Sequence, residues 1–407
     1  MKIPAGALIL LLAAGSPSSA SDVWSAAFPI PFPLLPVLRP PVPSAPAFAA
    51  LPPIPVVVFH GMSLKGVQFS RTQKISSSLV AAIDKTNNTL RLSLYDLRLP
   101  EVAAALLRAK ARGVDVRLVY DESHVKPAAP GAGAGPSPEY RSLLDGGVSI
   151  RILKGGGSFG IMHNKFAVFD GELLATGSFN WTASADAKNF ENAIFRSDDE
   201  LAAGFAKYWD WMWTLGRDPK ASAADAASGA GLGAPPADPT SPVSFAGGKY
   251  PRYAFSPGGG VEDMLVDALG RAKKTIDIAI FSLYSQRVVD ALITAKARGV
   301  SVRVAADVSQ SRRSQPMLAL SKSGADVRLS SGPGGGGVLH HKYVILDGAL
   351  LMTGSYNFSA NAELYNFEND LFSTVPGEIA AYGAEFAAVW EQAHAPAPGE
   401  LPAPKSL

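Results

Sequence analysis

Histidine, lysine, serine and asparagine recur in the same order in two stretches of the chain, residues 163–180 and 340–357. Their polar members are His163, Lys165, Ser178 and Asn180, and His340, Lys342, Ser355 and Asn357. Imidazole has an ordinary pKa of about 6.5, so histidine can act as a nucleophile or as a general acid and base. Lysine and asparagine can hold the oxygens of a phosphoryl group. Two such sets at one site would therefore supply what cleavage of a phosphodiester requires.

Each stretch is predicted to form a β-hairpin. Asp170-Gly171 and Asp347-Gly348 are strong turn signals, and apolar strand formers lie on both sides of them. Side chains alternate between the two faces of a strand, so the His and Lys of each copy share a face. The hairpin thus presents its polar residues at one end, and the two aspartates are turn residues at the other end.

The spacing His-x-Lys, four residues, Asp, six residues, Gly-Ser-x-Asn resembles the signature of the phospholipase D superfamily, and both copies fit it without gaps. The resemblance implies that the two motifs meet at one site across a pseudo-twofold axis. One histidine would form a covalent phosphohistidine, and the other would protonate the leaving alcohol and then activate water. By analogy with the family, His163 is the nucleophile and His340 the acid and base. The phosphate oxygens would be held by Lys165, Lys342, Asn180 and Asn357.

The sequence Asn-Phe-Glu-Asn is also repeated, at residues 189–192 and 366–369. Glu191 follows His163 at the same spacing as Glu368 follows His340. In nucleases of this family a glutamate near this spacing orients the histidine, and the resemblance carries that role to both residues. Ser178 and Ser355 either add donors for the substrate or shape the turn.

Other polar features receive no catalytic role. The sequence shows no clustered acidic or histidine-based metal set, so no metal and no cofactor are expected. His60, His124 and His394 lie outside the motifs, and His341 faces away from His340. The Gly-rich runs 155–160 and 332–337 either let a substrate approach the backbone or serve as flexible connectors, and the second interpretation is favoured.

Strands and helices alternate twice along the chain, which predicts α/β units. Lys110-Ala-Arg-Gly-Val114 recurs at residues 296–300, so the whole domain is duplicated. We expect two tandem phospholipase D-like domains, at 57–216 and 249–395, each a mainly parallel or mixed sheet flanked by helices. A linker at 217–248 joins them, and 396–407 form a tail. A helix near 200–215 presents a Phe205, Trp209 and Trp213 stripe that indicates core packing.

The N-terminus resembles a secretory signal at residues 1–20, with Lys2, an apolar run and small residues before the cleavage point. An uncleaved anchor or a disordered tail is the alternative. A cleaved signal predicts a secreted or periplasmic protein, and the resemblance suggests a bacterial one. Residues 21–56 are rich in proline and are expected to be extended. No later apolar run is long enough to span a bilayer, and both motifs in one chain predict a monomer.

The substrate is left open by the motifs. Hydrolysis of a phospholipid head group is favoured by the export signal and by a net charge of only +2, and it allows peripheral contact with a membrane. A metal-independent nuclease acting on DNA or RNA is the alternative, and cardiolipin synthase-like transfer is third. A non-catalytic scaffold is disfavoured because both motifs retain His and Lys.

Overall fold

The computed structural model describes residues 52–126, 135–221 and 233–403. The predicted signal at 1–20 lies outside the described residues. So do residues 21–51 of the Pro-rich segment, most of the loop at 128–136, the middle of the predicted linker and the end of the tail. None of the described helices is both long enough and apolar enough to cross a bilayer.

The first repeat contains eleven strands and five α-helices among its described residues. The strands are β1 Val56–Phe59, β2 Met62–Lys65, β3 Val67–Phe69, β4 Thr89–Leu94, β5 Leu97–Arg98, β6 Asp115–Asp121, β7 Ser149–Leu153, β8 Lys165–Phe169, β9 Leu173–Gly177, β10 Trp181–Thr182 and β11 Asn192–Ser197. The helices are α1 Ile75–Lys85, α2 Pro100–Ala111, α3 Pro138–Asp145, α4 Ala183–Ala187 and α5 Asp199–Leu215. Asp198 caps α5 by accepting from the backbone N–H of Leu201 at 3.0 Å, which fixes where the helix begins.

The second repeat follows the same order. Its strands are β12 Val243–Phe245, β13 Gly248–Tyr250, β14 Tyr253–Ser256, β15 Thr275–Ile280, β16 Ser301–Asp307, β17 Asp326–Ser330, β18 Lys342–Leu346, β19 Leu350–Gly354 and β20 Glu368–Ser373. Its helices are α6 Val261–Arg271, α7 Gln286–Ala297, α8 Val308–Ser311, α9 Gln315–Lys322, α10 Ala360–Leu364 and α11 Pro376–Gln392. Strand β12 begins inside the stretch 217–248 that the sequence predicts as a linker.

Each repeat builds a seven-stranded sheet with the same strand order, β3-β11-β9-β8-β4-β6-β7 in the first and β14-β20-β19-β18-β15-β16-β17 in the second. Within these two sheets, the parallel pairs join β4, β6 and β7 to one another, and likewise their counterparts β15, β16 and β17. The motif hairpins pair antiparallel with β4 and β15. The sheets are therefore mixed rather than mainly parallel. The βαβ units supply the parallel strands of each sheet, and the strands of the motif hairpin add to them in the antiparallel direction.

Helices cover both faces of the sheets. An apolar core lies between each sheet and its outer helices, and a third lies between the two sheets and includes residues of both repeats. Helix α5 contributes Phe205 and Trp209 to that inner core, as the sequence predicts, and the indole of Trp209 donates to the carbonyl of Leu92 at 2.7 Å. Trp213 and Trp390 are only partly buried at its edge.

The two repeats meet through a pair of symmetry-related contacts. The segment before the first motif pairs in parallel with the second Asn-Phe-Glu-Asn stretch, through Met162 and Phe367. The segment before the second motif pairs in the same way with the first such stretch, through Leu339 and Phe190. The backbone N–H groups of His163 and His340 donate across this contact at 2.9 and 3.0 Å. The interface therefore fixes the backbone of both motif histidines.

The Gly-rich runs are packed against the opposite repeat rather than being loose connectors. A Cβ placed on Gly155 or Gly160 would lie 2.5 Å from the carbonyl oxygen of Tyr365. On the related side, a Cβ on Gly332 would lie 1.9 Å from the carbonyl oxygen of Lys188. Glycine is needed at these positions because two backbones approach each other closely.

Replacing Gly332 with alanine should therefore destabilise the contact between the repeats. We expect the free energy of unfolding to fall by about 1–3 kcal/mol, as for other overpacked sites. Gly336→Ala is the matched control, since that residue has φ −104° and a Cβ there would meet no atom within 4 Å. Thermal and denaturant unfolding would measure both, and equal stability of the two variants would contradict the packing argument.

Candidate active site

Both motif hairpins place their polar residues as the sequence predicts. Strands β8 and β9 form the first and β18 and β19 the second. Asp170 and Asp347 occupy the turns with φ of 50° and 51°. Each carboxylate accepts three backbone N–H groups, at residues 87–89 and 273–275. The aspartates thus anchor the hairpin turns to the start of β4 and β15.

The two motifs converge at the contact between the repeats. His163, Lys165, His340 and Lys342 are all buried. The charge of Lys342 contributes to lowering the pKa of His163, and the charge of Lys165 contributes to lowering that of His340. Side chains from both repeats therefore share one electrostatic environment.

Each motif histidine is held by the glutamate of the other repeat. Nδ1 of His163 lies 3.0 and 2.8 Å from the two carboxylate oxygens of Glu368. Nδ1 of His340 lies 2.9 Å from the carboxylate of Glu191. The pairing expected from spacing within one repeat is therefore wrong. The physical reason is that each Asn-Phe-Glu-Asn stretch runs beside the chain that enters the opposite motif.

The remaining polar groups of the motifs hold these glutamates in place. Ser178 donates to Glu191 and Ser355 to Glu368, both at 2.6 Å. The first asparagine of each Asn-Phe-Glu-Asn stretch also donates to the glutamate, at 3.3 Å from Asn189 and 3.0 Å from Asn366. In this structure the serine hydroxyls thus make a positioning contact, and their predicted contact with substrate stays a prediction.

The last asparagine of each repeated stretch reaches across to the residue between His and Lys of the other motif. Asn369 donates to the side-chain oxygen of Asn164 at 2.7 Å. Asn192 lies 3.0 Å from Nδ1 of His341, whose Nε2 lies 3.4 Å from Glu385. His341 is therefore a buried structural residue, pointing away from His340 as expected.

The lysines and motif asparagines keep polar atoms at the centre of the site. Lys165 donates to the carbonyl of His163, and Lys342 donates to the carbonyl of His340 at 2.7 Å. The amide oxygens of Asn180 and Asn357 are buried without a hydrogen-bond partner among the described residues. Because buried polar atoms are normally satisfied, these oxygens are available to accept a hydrogen bond from a substrate group or water.

Residues outside the motifs also line the site, and reasoning from the sequence assigned them no role there. Tyr95 lies edge-on to His163 with ring centroids 4.9 Å apart, and Phe281 takes the related place against His340 at 4.7 Å. His124 lies edge-on to Tyr95 at 4.6 Å, and its Nε2 is buried without a partner among the described residues. The sequence signal for Tyr95 and Phe281 is their position, because each immediately follows a strand, β4 or β15, that pairs with a motif hairpin.

Two aspartates hold the backbone that precedes the motif histidines. Asp121 accepts from the backbone N–H of Met162 at 2.8 Å, and Asp307 accepts from that of Leu339 at 3.0 Å. Burial raises the pKa of Asp121 to about 6. Each aspartate thus fixes the residue directly before a motif histidine.

Burial controls the ionisation of the central residues. It lowers the pKa of His163 and of His340 to about 4, although their glutamates oppose the shift. It also lowers the pKa of Lys165 to about 7 and of Lys342 to about 8. Burial alone would raise the pKa of both glutamates, but the neighbouring histidines and lysines hold it below the ordinary value. A neutral histidine whose Nδ1–H donates to glutamate leaves Nε2 as a nucleophile or base.

These pKa values predict activity with an optimum on the acid side of neutrality. We expect kcat/KM to fall as pH rises through about 7 to 8, because Lys165 and then Lys342 lose the charge that holds a phosphoryl oxygen. Near pH 4 activity should fall as well, because both histidines become protonated. A pH profile measured with a diester that does not titrate in this range would test this, and an optimum above pH 8 would contradict it.

Within residues 52–126, 135–221 and 233–403, no group of three or more His, Cys, Asp or Glu side chains is arranged to hold a metal ion. The expectation that the reaction needs no metal stays a prediction.

Comparison with known proteins places the chain in a family. A family model described as "Cardiolipin synthase, PLD-like domain" matches residues 79–213 and 265–390. The mitochondrial cardiolipin hydrolase of Xenopus laevis is 32% identical over 165 residues, which are 40% of this chain and 73% of that protein. The phospholipase D of Rickettsia conorii is 34% identical over 127 residues, 31% of this chain and 58% of that protein.

The fold is similar to that of a phosphatidylserine synthase from Haemophilus influenzae, with a TM-score of 0.62 at 12% identity over 81% of this chain and 87% of that one. At that identity the likeness concerns the fold alone. The family model, by contrast, covers more than half of the chain and lies in both repeats. The chain therefore belongs to the phospholipase D superfamily, in the family of cardiolipin synthase-type PLD-like domains.

Proposed function

We propose that the protein is a phosphodiesterase that hydrolyses the head-group phosphodiester of a phospholipid through a covalent phosphohistidine. The observation that carries the proposal is the shared site, in which each motif histidine is held by a glutamate of the other repeat. A carboxylate on Nδ1 leaves Nε2 of both imidazoles available for chemistry. Two histidines with two lysines then supply a nucleophile, an acid and cations for the phosphoryl oxygens.

In the first step, Nε2 of His163 attacks phosphorus and forms a P–N bond. The P–O bond to the head-group alcohol breaks, and the departing oxygen takes a proton from His340. In the second step, neutral His340 removes a proton from water, and the water oxygen displaces His163 from phosphorus. Lys165 and Lys342, with the side-chain NH2 groups of Asn180 and Asn357, hold the phosphoryl oxygens throughout. A phosphodiester anion between the imidazoles favours the protonated form of His340 that the first step needs.

Two features support a lipid over a nucleic acid. The net charge of +2 gives little general attraction for a polyanion. The named relatives are a cardiolipin hydrolase and a phospholipase D, and their substrates come to this chain only as part of the proposal. A nuclease with the same chemistry is the second candidate, because Asn180-Trp181-Thr182 resembles the branch of the family that holds small nucleases.

A direct turnover comparison tests the proposal. The protein from about residue 21 onward is incubated with EDTA, either with phospholipid vesicles or with single-stranded DNA. Head-group release with intact DNA is the expected result. Cleavage of DNA with untouched lipid would establish the nuclease instead. Adding a primary alcohol to the lipid assay detects transfer in place of hydrolysis, the third possibility.

We also propose that the protein is exported, because residues 1–20 have the pattern of a cleaved signal. Expression in a bacterial host followed by N-terminal sequencing should find mature protein beginning near Ser21 outside the cytoplasm. Retention of Met1 in the purified protein would contradict cleavage.

A further inference from the structure

Large apolar side chains are exposed beside one half of the site. Phe159 is 78% exposed, Leu364 58% and Tyr365 39%. Phe159 lies in the first Gly-rich run, and the other two residues lie at the end of α10 in the second repeat. These three residues are called the apolar rim below.

The apolar rim lies on two segments that lead directly to His163 and Glu368. The backbone N–H of Gly156 donates to the carbonyl of Tyr365 at 2.7 Å. A Cβ on Gly157 would lie 3.4 Å from Cδ1 of Tyr365, so the tyrosine ring covers the Gly-rich turn. From here the two segments run side by side to His163 and Glu368. Phe159 is therefore four residues before the histidine, and Tyr365 is three residues before the glutamate.

The two halves of the site carry different side chains at these positions. At the related positions the other half of the site has Gly336, Ala187 and Lys188, all exposed. The backbone contact is retained there, because Gly332 approaches the carbonyl of Lys188 as Gly155 approaches that of Tyr365. One side of the site thus exposes three large apolar side chains, where the other side exposes glycine, alanine and one lysine on the same backbone.

We propose that the apolar rim is the surface by which the protein settles on a phospholipid bilayer, with Lys188 facing the lipid phosphates. This inference rests on the proposed phospholipid substrate. Aromatic and leucine side chains partition into the boundary between head groups and acyl chains, and lysine is attracted to anionic lipid. Insertion of the rim would bring a head-group phosphodiester to the two histidines without removing the whole lipid from the bilayer.

The test compares a rim variant, Phe159→Ser with Leu364→Ser, with a control, Val56→Ser with Val58→Ser. The control removes equally apolar side chains, 69% and 59% exposed, on β1 near the end of β11 away from Glu191. Binding is measured by sedimentation with vesicles of phosphatidylcholine, phosphatidylglycerol and cardiolipin. Turnover is measured on those vesicles and on short-chain phospholipids below their micelle concentration.

We expect the rim variant to bind vesicles about 10- to 100-fold more weakly than the wild type and to lose turnover on vesicles in proportion. Its turnover of monomeric short-chain lipid should equal that of the wild type, and the control should match the wild type in every assay. Wild-type binding of vesicles by the rim variant would overturn the inference while leaving the proposed phospholipase intact.

Failure of the proposed function would give a different set of results. If the wild type hydrolyses neither vesicles nor monomeric lipid, the phospholipase proposal is wrong whatever the rim does. If the wild type does not sediment with vesicles and the rim variant instead loses binding of single-stranded DNA, the rim stacks nucleic-acid bases and the bilayer proposal is overturned.

Discussion

Replacing either His163 or His340 with alanine should lower kcat/KM by at least about 10³-fold, with both variants folded. The effect is expected to be large because, in the proposed mechanism, one imidazole forms the covalent intermediate, the other moves the proton in both steps, and neither has a substitute. The two variants should be similarly impaired on an alkyl phosphodiester. On a substrate with a good leaving group, such as a nitrophenyl ester, loss of the acid should cost less in the first step.

His163→Asn serves as a second variant, because an amide can still donate to Glu368 and limits disturbance of the buried pair. His394→Ala is the matched control, since its half-exposed side chain hydrogen-bonds to Glu400 and lies outside both motifs. Thermal unfolding of all four proteins separates lost chemistry from lost folding. Activity of His163→Ala near the wild-type level would remove this residue from the mechanism and reopen a non-catalytic role for the fold.

Glu368→Gln and Glu191→Gln should each lower kcat by on the order of 10²- to 10⁴-fold, because each carboxylate fixes the tautomer and orientation of one imidazole. The structure predicts which imidazole each glutamate affects. Glu368 lies against His163 and Glu191 lies against His340, so each substitution should act on the histidine of the other repeat.

NMR spectra of histidine-labelled protein read this pairing directly. Glu368→Gln should move the Nδ1 signal of His163 and leave that of His340 nearly unchanged, and Glu191→Gln should do the reverse. Glu391→Gln, an exposed change on α11, should move neither signal. Perturbation of the histidine in the same repeat as the substituted glutamate would contradict the crossed arrangement.

Much of the site could be predicted because its signals are local. The duplicated motifs fixed the hairpins and the shared face of His and Lys, and the Asp-Gly pairs located the turns. Helical periodicity placed α5, expected near 200–215, to within a residue of its observed bounds. The alternation of strands and helices also anticipated the α/β class of both repeats.

The pairing of Glu with His could not be read from spacing, because it depends on how two distant segments lie side by side. The same holds for the Gly-rich runs, whose glycines are required by the carbonyls of Tyr365 and Lys188 in the opposite repeat. Tyr95 escaped notice and His124 was given no role because they follow β4 and β6, whose sequences contain no motif. The mixed sheet follows from where the hairpins dock, which the predicted βαβ units do not specify.

We propose that one site, built from both repeats, breaks a phosphodiester through a histidine. Rapid quenching of the enzyme with a diester labelled at phosphorus, followed by peptide mapping under alkaline conditions, would detect the covalent intermediate. We expect one acid-labile phosphohistidine per chain, at His163, and a larger trapped amount in His340→Ala with a good leaving group. Label at His340 would exchange the two roles within the same site. Turnover without label on either histidine would contradict the covalent mechanism.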